Sequence, residues 1–131
     1  MTRIRKKGVA IVDSEKGILV VAGRRKIYSL PGGGADKGES RKMAAKRELR
    51  EETGLKTKSI KFLFEYEGRK WHDYKGKSVK NHAKVFLVKA YGRLRPRHEI
   101  KHVAWWKPRN KIKISKSTLK LLEKYKNLDK K

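Results

Sequence analysis

The sequence predicts a protein that combines α and β structure, in the α/β (α+β) class, with a mixed β-sheet packed between helices. Three observations support this class. Short runs rich in β-branched residues, bounded by turn formers, recur over most of the chain. A helical segment with a cap at each end interrupts them after residue 40, and an amphipathic segment follows the last run. Strands, a helix, strands and a helix, in that order, are typical of layered folds.

The strands are predicted from alternation and β-branched content. They cover residues 3–13, 17–23, 26–30, 58–68, 80–92 and 100–107. The third strand is short because Pro31 and three glycines follow it, and those glycines are expected to form a sharp turn. Between the fourth and fifth strands, the residues RKWHDYKGKS predict a polar and aromatic hairpin loop.

Two helices are predicted from caps and apolar spacing. Ser40 is the expected N-cap of a helix over 41–53, and Gly54 is the expected residue after its end. The second helix begins after Ser115 or Ser117. Its apolar residues recur at helical spacing, at Leu119, Leu122 and Tyr125. No linker or repeat divides the chain, so residues 1–131 are expected to form a single domain.

Composition excludes several classes of protein. No cysteine is present, which excludes disulfides, zinc–thiolate sites and thiol nucleophiles. The longest apolar runs are too short to cross a membrane, and the basic N-terminal residues precede no signal-peptide core. We therefore expect a cytoplasmic protein without a membrane partner, present as a monomer or a homodimer.

The charge of the chain has two interpretations. Its 38 Lys and Arg against 13 Asp and Glu give a formal net charge of +25. Such a field attracts polyanions, including nucleotides and RNA. A lysine-rich surface can also serve solubility or adaptation to heat.

Within this basic chain, three acidic residues share one side of the first helix. At ~100° per residue, Glu48, Glu51 and Glu52 fall within an arc of about 100°. Like charges at this spacing repel and destabilise a helix. Oxygen-rich clusters suit hard divalent cations such as Mg²⁺. The alternative interpretation is a solvated acidic face paired with Lys and Arg from elsewhere in the chain.

The spacing of residues 33–55 resembles the Nudix box. The pattern is G-x5-E-x7-R-E-U-x-E-E-x-G-U, with U aliphatic, and every defined position matches. The matching residues are Gly33, Glu39, Arg47, Glu48, Leu49, Glu51, Glu52, Gly54 and Leu55. The resemblance implies a Nudix-type α/β/α sandwich. It also implies hydrolysis of a pyrophosphate bond, in a nucleoside diphosphate linked to another moiety or a related small polyphosphate, with Mg²⁺ or Mn²⁺ as cofactor.

The same resemblance implies roles for the residues of the box. Glu48 and Glu52 are expected to bind the metal ion, joined by the carbonyl oxygen of Gly32. Glu51 is the first choice for activating the attacking water, and Arg47 is expected to orient Glu48. Metal-assisted phosphoryl chemistry requires a Lewis acid, a water of lowered pKa and a fixed geometry.

Two acidic residues further from the metal ligands are also implied. Glu39 is expected to support the metal ligands without binding the ion itself. In many Nudix proteins an acidic residue on the loop before a Trp-containing strand reaches the metal site, and Glu99 occupies that context. A surface salt bridge to a neighbouring lysine explains Glu99 equally well.

Substrate contacts are predicted outside the box. Three consecutive basic residues, Arg24, Arg25 and Lys26, precede the sequence PGGG, as in enzymes that act on diphosphoinositol polyphosphates and dinucleoside polyphosphates. Trp71 and Tyr74 lie among basic residues, an arrangement that suits stacking on a nucleobase or plain packing against the sheet.

Two substrate classes follow. The first is a small polyanion, such as a nucleotide. The alternative is an RNA-directed Nudix protein, which processes RNA 5′ ends or binds RNA with weak activity.

Overall fold

The computed structural model describes residues 2–128 of the chain. In this part, seven strands and two helices follow one another: β1 (Arg3–Ile11), β2 (Asp13–Ser14), β3 (Gly17–Ala22), β4 (Gly32–Gly34), α1 (Arg41–Thr53), β5 (Lys56–His72), β6 (Ser78–Tyr91), β7 (His102–Trp106) and α2 (Lys116–Asn127). Neither helix combines the length and apolar character that a bilayer crossing requires, as judged over these residues.

The strands form two sheets, of which the larger is the mixed sheet that was predicted. A four-stranded sheet has the order β4-β1-β6-β5, in which β1 runs parallel to β6 and antiparallel to β4. A three-stranded antiparallel sheet has the order β2-β3-β7. The N–H of Leu19 donates to the carbonyl of Val12 at 3.0 Å, so the end of β1 adjoins the second sheet. The α+β class with a mixed sheet is confirmed.

The sheets lie between the two helices, with a hydrophobic cluster on each side. Ala10 and Phe86 pack with Ala45 and Leu49 of α1. On the other side, Val9 and Val85 pack with two leucines of α2. Because side chains alternate along a strand, odd-numbered residues of β1 point to the α2 side and even-numbered residues to the α1 side. We call these the α2 face and the α1 face of the four-stranded sheet.

The residues predicted to cap the helices are found at the helix ends. The Ser40 hydroxyl accepts a hydrogen bond from the Met43 N–H at 3.1 Å, and Gly54 ends α1 with a φ of 79°. Ser115, not Ser117, caps α2. The prediction of Leu119 as an apolar position of α2 that faces the core was wrong, because Leu119 is 44% exposed. The buried leucines of α2 are Leu121 and Leu122.

The segment around the glycines differs from the prediction. Residues 26–30 form no strand, because Lys26 adopts a φ of 54° and Tyr28 and Ser29 each make a single bridge, to Ile114 and Val21. The predicted turn at Gly32–Gly34 is instead the edge strand β4, paired with β1. Backbone pairing makes this a strand, although glycine has low β-propensity.

The β5–β6 hairpin is longer than predicted. Residues 69–72 belong to β5, so Trp71 is on a strand and only residues 73–77 form the turn. The Asp73 carboxylate accepts hydrogen bonds from the N–H groups of Lys75 and Lys77, both at 2.9 Å. These bonds order the turn in the manner of an Asx turn, and Tyr74 projects from it, 92% exposed.

Helix α1 approaches β1 very closely at Gly8. A Cβ atom at this position would lie 1.9 Å from the carbonyl oxygen of Arg41 and 2.7 Å from the Ala45 nitrogen. Both atoms belong to the helix backbone and cannot move without moving the helix. The absence of a side chain at Gly8 therefore sets the position of α1 over the sheet.

Candidate active site

The glutamates of α1 lie where the helix meets β4. The Glu52 Oε1 atom accepts a hydrogen bond from the Gly32 N–H at 2.9 Å. Glu48 lies against Gly33, where an added Cβ would come within 2.6 Å of its Cδ atom. Two carboxylates thus contact the glycine strand directly, and Gly33 has no room for a side chain.

Arg47 connects these glutamates to the loop before the helix. Its Nε and Nη2 atoms donate to both carboxylate oxygens of Glu39, at 2.9 and 3.0 Å. Its Nη1 atom donates to Glu48 at 2.7 Å and to Glu51 at 3.2 Å. A further bond runs from Nη2 to the carbonyl of Gly34 at 3.1 Å. A planar guanidinium that binds a carboxylate through two nitrogens fixes its orientation, so Arg47 holds Glu39, Glu48 and β4 together.

Glu51 is more exposed than Glu48, with 42% of its side chain accessible against 20%. Arg50, Glu51, Arg97 and His98 line a cavity of about 260 Å³. Glu51 therefore faces a space that solvent enters, while Arg47 limits its motion. Its predicted role in activating water stays a prediction.

The carboxyl groups of the site differ in their pKa values. Hydrogen bonds from Arg47 and from a backbone N–H lower the pKa of Glu39 to about 2. Burial raises the pKa of Glu52 to about 7, and repulsion from Glu48 and Glu99 adds to the rise. The protein alone therefore stabilises the ionised form of Glu52 less well than water does, and a nearby cation would favour that charged form.

The segment of residues 92–101 covers the C-terminal end of α1. The Arg95 N–H donates to the carbonyl of Thr53 at 3.0 Å, and the Arg97 N–H donates to that of Glu52 at 3.1 Å. These bonds satisfy carbonyls that the end of a helix leaves free. They also bring Glu99 near enough to Glu52 for their charges to repel. The alternative salt bridge of Glu99 to a lysine is not observed among residues 2–128.

The donor atoms at this edge suit a hard divalent cation. Glu52 and Glu48 supply carboxylate oxygens beside the backbone of Gly32 and Gly33 respectively. Over the described part of the chain, no group of three or more His, Cys, Asp or Glu side chains is placed to hold a metal ion by itself. Mg²⁺ binds through one or two carboxylates and keeps its remaining places for water and phosphate oxygens. The residues present fit an ion of this kind.

The predicted substrate residues lie on two segments outside α1 and β4. Arg24 and Arg25 form an exposed turn after β3, and Lys26 follows in a left-handed conformation. Trp71 and Tyr74 lie at the outer end of the β5–β6 hairpin. The hydrogen bonds and ion pairs seen within residues 2–128 connect none of these five side chains to Glu48 or Glu52. Their roles in substrate binding stay predictions.

Two basic residues beside the site were not predicted to have a role. Lys7 lies opposite Gly34 in the β1–β4 pairing, and Arg5 lies two residues earlier on the same face. Glu52 and Glu48 both act electrostatically on Lys7. Alternation in RIRKKGVAI places Arg5 and Lys7 on one face, but the pairing of β1 with the glycines was not visible in the sequence.

Comparison with known proteins places this geometry in a family. The family model described as NUDIX domain matches residues 3–126. The match includes β4, the Arg47 network and the segment that covers the end of α1.

Solved structures with the same fold include several from bacteria. A protein from Chromobacterium violaceum, assigned to the Nudix hydrolase family, is 32% identical over 98% of this chain and 80% of its own, with a TM-score of 0.79. The E. coli ORF135 protein is 22% identical over 97% of this chain and 91% of its own, with a TM-score of 0.73. The NUDIX domain of Shewanella oneidensis NrtR, solved with ADP ribose, is 19% identical over 97% of this chain and 88% of its own, with a TM-score of 0.69. At their lower identities, the last two show the shared fold alone.

Proposed function

The chain belongs to the Nudix family of pyrophosphohydrolases, and we propose that it hydrolyses a pyrophosphate bond in a small nucleotide-type polyphosphate with Mg²⁺ or Mn²⁺. The substrate class is a nucleoside diphosphate linked to another moiety, or a related compound such as a dinucleoside polyphosphate. We further propose that residues 1–131 act as one domain, as a monomer or homodimer. Helices from both halves of the chain packing on one layer support the single domain.

One observation carries the proposal. Glu48 and Glu52 are held against the glycine strand, one by Arg47 and the other by a backbone N–H. Glu52 is half-buried beside a second carboxylate, which raises its pKa in the absence of a cation. A purely structural acidic patch would pair both charges, as the alternative interpretation requires. Of these two glutamates, Glu48 has an arginine partner within 4.0 Å among the described residues and Glu52 has none.

The side chains divide the work of the reaction. Glu48 and Glu52 would bind the cation, with the Gly32 carbonyl as the proposed third protein ligand. The bound cation supplies a Lewis acid for the phosphate and lowers the pKa of water. Arg47 keeps Glu48 in its binding orientation, and Glu39 keeps Arg47 in place.

Glu51 is proposed to accept a proton from the attacking water. The water oxygen forms a bond to one phosphorus as the bond from that phosphorus to the bridging oxygen breaks, and the second phosphate leaves with the bridging oxygen. Glu99 lies near Glu52 and would adjust the charge around the cation. Arg24, Arg25 and Lys26 would contact outer phosphates, and Trp71 or Tyr74 would stack on a base.

A screen for cleavage of the pyrophosphate bond, read by chromatography of the nucleotide products, tests this function. Nucleoside di- and triphosphates, sugar nucleotides, dinucleoside polyphosphates and triphosphorylated RNA would be compared with and without Mg²⁺ or Mn²⁺. We expect cation-dependent cleavage of a small nucleotide-type substrate. No cleavage of any substrate with either ion would overturn the proposal.

RNA-directed activity is the second candidate, favoured by the net charge of +25 and by the exposed Trp71 and Tyr74. A long polyanion is bound through several phosphates, so its affinity should fall steeply with salt, with a log–log slope of about −0.7 per contacted phosphate on single strands. A small substrate should show a shallow slope. Tight RNA binding with a steep slope, retained in Glu52→Gln, would favour this second candidate.

A further inference from the structure

A column of basic side chains lies on the α2 face of the four-stranded sheet. The pairing of β1 with β6 runs without a shift from Arg3 to Ile11. Val9 and Ile11 belong to the hydrophobic cluster on the α2 side. By alternation, Arg3, Arg5 and Lys7 therefore project from this same face, beyond the end of the cluster.

The strand next to this column carries neutral side chains. Arg3, Arg5 and Lys7 are paired in register with Val79, Asn81 and Ala83 of β6. The acidic residues of the neighbouring part of β5, Glu65 and Glu67, pair with Lys84 and His82 and so lie on the opposite face. The column is therefore a strip of like charge that the adjacent strands do not neutralise.

Arg5 and Lys7 have no close carboxylate partner. Neither lies within 4.0 Å of an acidic side chain in the portion of the chain that the structure describes. Burial of Lys7, followed by the charge of Arg5, lowers the Lys7 pKa, and the charges of Glu52 and Glu48 only partly oppose this. Two neighbouring cations, one half-buried, are unfavourable unless an anion binds between or beside them.

The column begins at the site of hydrolysis and leads away from it. Lys7 lies opposite Gly34, next to the glycines that contact Glu48 and Glu52. The Arg5 guanidinium lies beside the same glycine, 3.3 Å from where its Cβ would be. Arg5 and Lys7 are neighbours on one face of the strand, where such residues are about 6.6 Å apart. Their side chains can therefore contact successive phosphates beyond the pair at the glutamates.

A polar cavity accompanies the column at the sheet edge. It has a volume of about 410 Å³ and is lined by residues 3–6 and 34–39. This space lies between the start of β1 and the loop that Glu39 and Arg47 hold in place. It is open to a ligand that extends past β4.

We propose that Lys7 and Arg5 form a phosphate subsite that selects substrates with a chain of more than two phosphates. The inference rests on the function proposed above and specifies its substrate class. The pyrophosphate unit undergoing hydrolysis lies at Glu48 and Glu52, Lys7 binds the next phosphate, and Arg5 binds the one beyond. A dinucleoside polyphosphate fits this arrangement, whereas a nucleotide sugar has no phosphate to offer Arg5.

The test compares Arg5→Gln with wild type on two substrates, a dinucleoside tetraphosphate and ADP-ribose. Loss of a charge-assisted contact should raise KM for the tetraphosphate about tenfold and leave KM for ADP-ribose within about twofold. Lys84→Gln is the matched control, since Lys84 is paired with Gly8 on the neighbouring strand and lies on the opposite face. Equal KM changes for both substrates, or the same change in Lys84→Gln, would overturn the subsite.

Binding without turnover separates this inference from the proposed function. Dissociation constants for inorganic tetraphosphate and pyrophosphate would be measured with Ca²⁺ in place of Mg²⁺. We expect Arg5→Gln to weaken tetraphosphate binding about tenfold and pyrophosphate binding much less. If no substrate of the cleavage screen is hydrolysed but this difference appears, the subsite stands and the proposed function fails. If Arg5→Gln instead weakens a short single-stranded RNA and leaves tetraphosphate binding unchanged, the column is a nucleic-acid track and the subsite is wrong.

Discussion

The two helices cover opposite faces of one β layer and are attached to it by different means. Helix α2 is amphipathic and buries Leu121 and Leu122 in the cluster on its side. Helix α1 buries mainly small side chains, at Ala44, Ala45, Leu49 and Thr53. Its attachment depends on the backbone contact at Gly8 and on the hydrogen bonds of Arg47.

Because of this difference, α2 contributes mainly to the packing of the core, whereas α1 carries the side chains of the candidate active site. Glu48 and Glu52, at i and i+4, destabilise α1 by a few tenths of a kcal/mol through repulsion. Close backbone packing holds the helix in spite of this, because it does not require a wide apolar side. A large change on α2 should therefore affect stability first, and a change on the outer side of α1 should affect activity first.

The largest expected effect is on catalysis. Glu48→Gln or Glu52→Gln should each lower kcat by about 100-fold or more, because the cation loses a charged ligand. Both variants should remain folded, and Glu52→Gln should unfold at the same or a higher temperature. The matched control is Glu123→Gln on the exposed side of α2, which should keep wild-type activity. Wild-type rates in both α1 variants would contradict the assigned metal ligands.

Truncating a buried side chain of α2 should lower stability and leave catalysis largely unchanged. Leu122→Ala creates a cavity in the cluster and should lower the free energy of unfolding by about 2–5 kcal/mol. Its KM in the folded state should stay close to wild type, since Glu48 and Glu52 lie on α1 and the basic residues of β1 lie beyond the end of the cluster that contains Leu122. Denaturant unfolding and kinetics at low temperature would measure both. A raised KM with unchanged stability would show that α2 shapes the substrate site.

The pH dependence of stability should reveal the strain on α1. The pKa of Glu52 is raised by burial to about 7 in the folded protein, above its value in the unfolded chain. The unfolded state therefore loses its proton first as the pH rises, so this residue's contribution is present at low pH and is lost between about pH 4.5 and 7. The loss is up to about 3 kcal/mol.

Unfolding of the metal-free protein at pH 5 and pH 8 would measure this loss. Glu52→Gln should show a smaller difference between the two pH values than wild type. Glu39 does not contribute to the difference between pH 5 and pH 8. Its pKa is lowered, so its effect on the free energy of unfolding changes only below about pH 5. Identical pH profiles for wild type and Glu52→Gln would exclude the buried charge as the cause.

Gly8→Ala tests how α1 is positioned. The added methyl group overlaps the helix backbone, so we expect a loss of about 1–3 kcal/mol in stability. Because the helix must shift with its glutamates, kcat should fall as well. Gly68→Ala is a control for the substitution alone, since the nearest atom to an added Cβ there is 3.6 Å away, an ordinary van der Waals contact. A stable Gly8→Ala variant with full activity would refute the backbone contact as the attachment of α1.

The sequence predicted α1 well because its signals are local. Ser40 and Gly54 are cap residues whose effect depends on the adjacent backbone. The order of elements and the helix side bearing the three glutamates were also readable, and the family is confirmed. The individual roles of Glu51, Glu99 and the substrate residues stay predictions.

What the sequence did not predict depends on distant partners. Gly32–Gly34 became a strand only because β1 lies beside it, and no β-propensity marks three glycines. Residues 69–72 look like a loop because they are polar, yet pairing with β6 extends the strand through them. Lys7 appeared to be one cation among many until the register placed it opposite Gly34.

The parallel pairing of β1 with β6 has a consequence for biosynthesis. Thr2 and Ser78, joined by a hydrogen bond at 3.1 Å, are 76 positions apart in the chain. At about 5–20 residues per second, a nascent β1 waits on the order of 4–15 s for its partner to be translated. Its apolar residues have no β6 partner during that interval, in which the charged α1 segment is translated as well. We expect the run of charge that destabilises the finished helix to oppose association between unfinished chains.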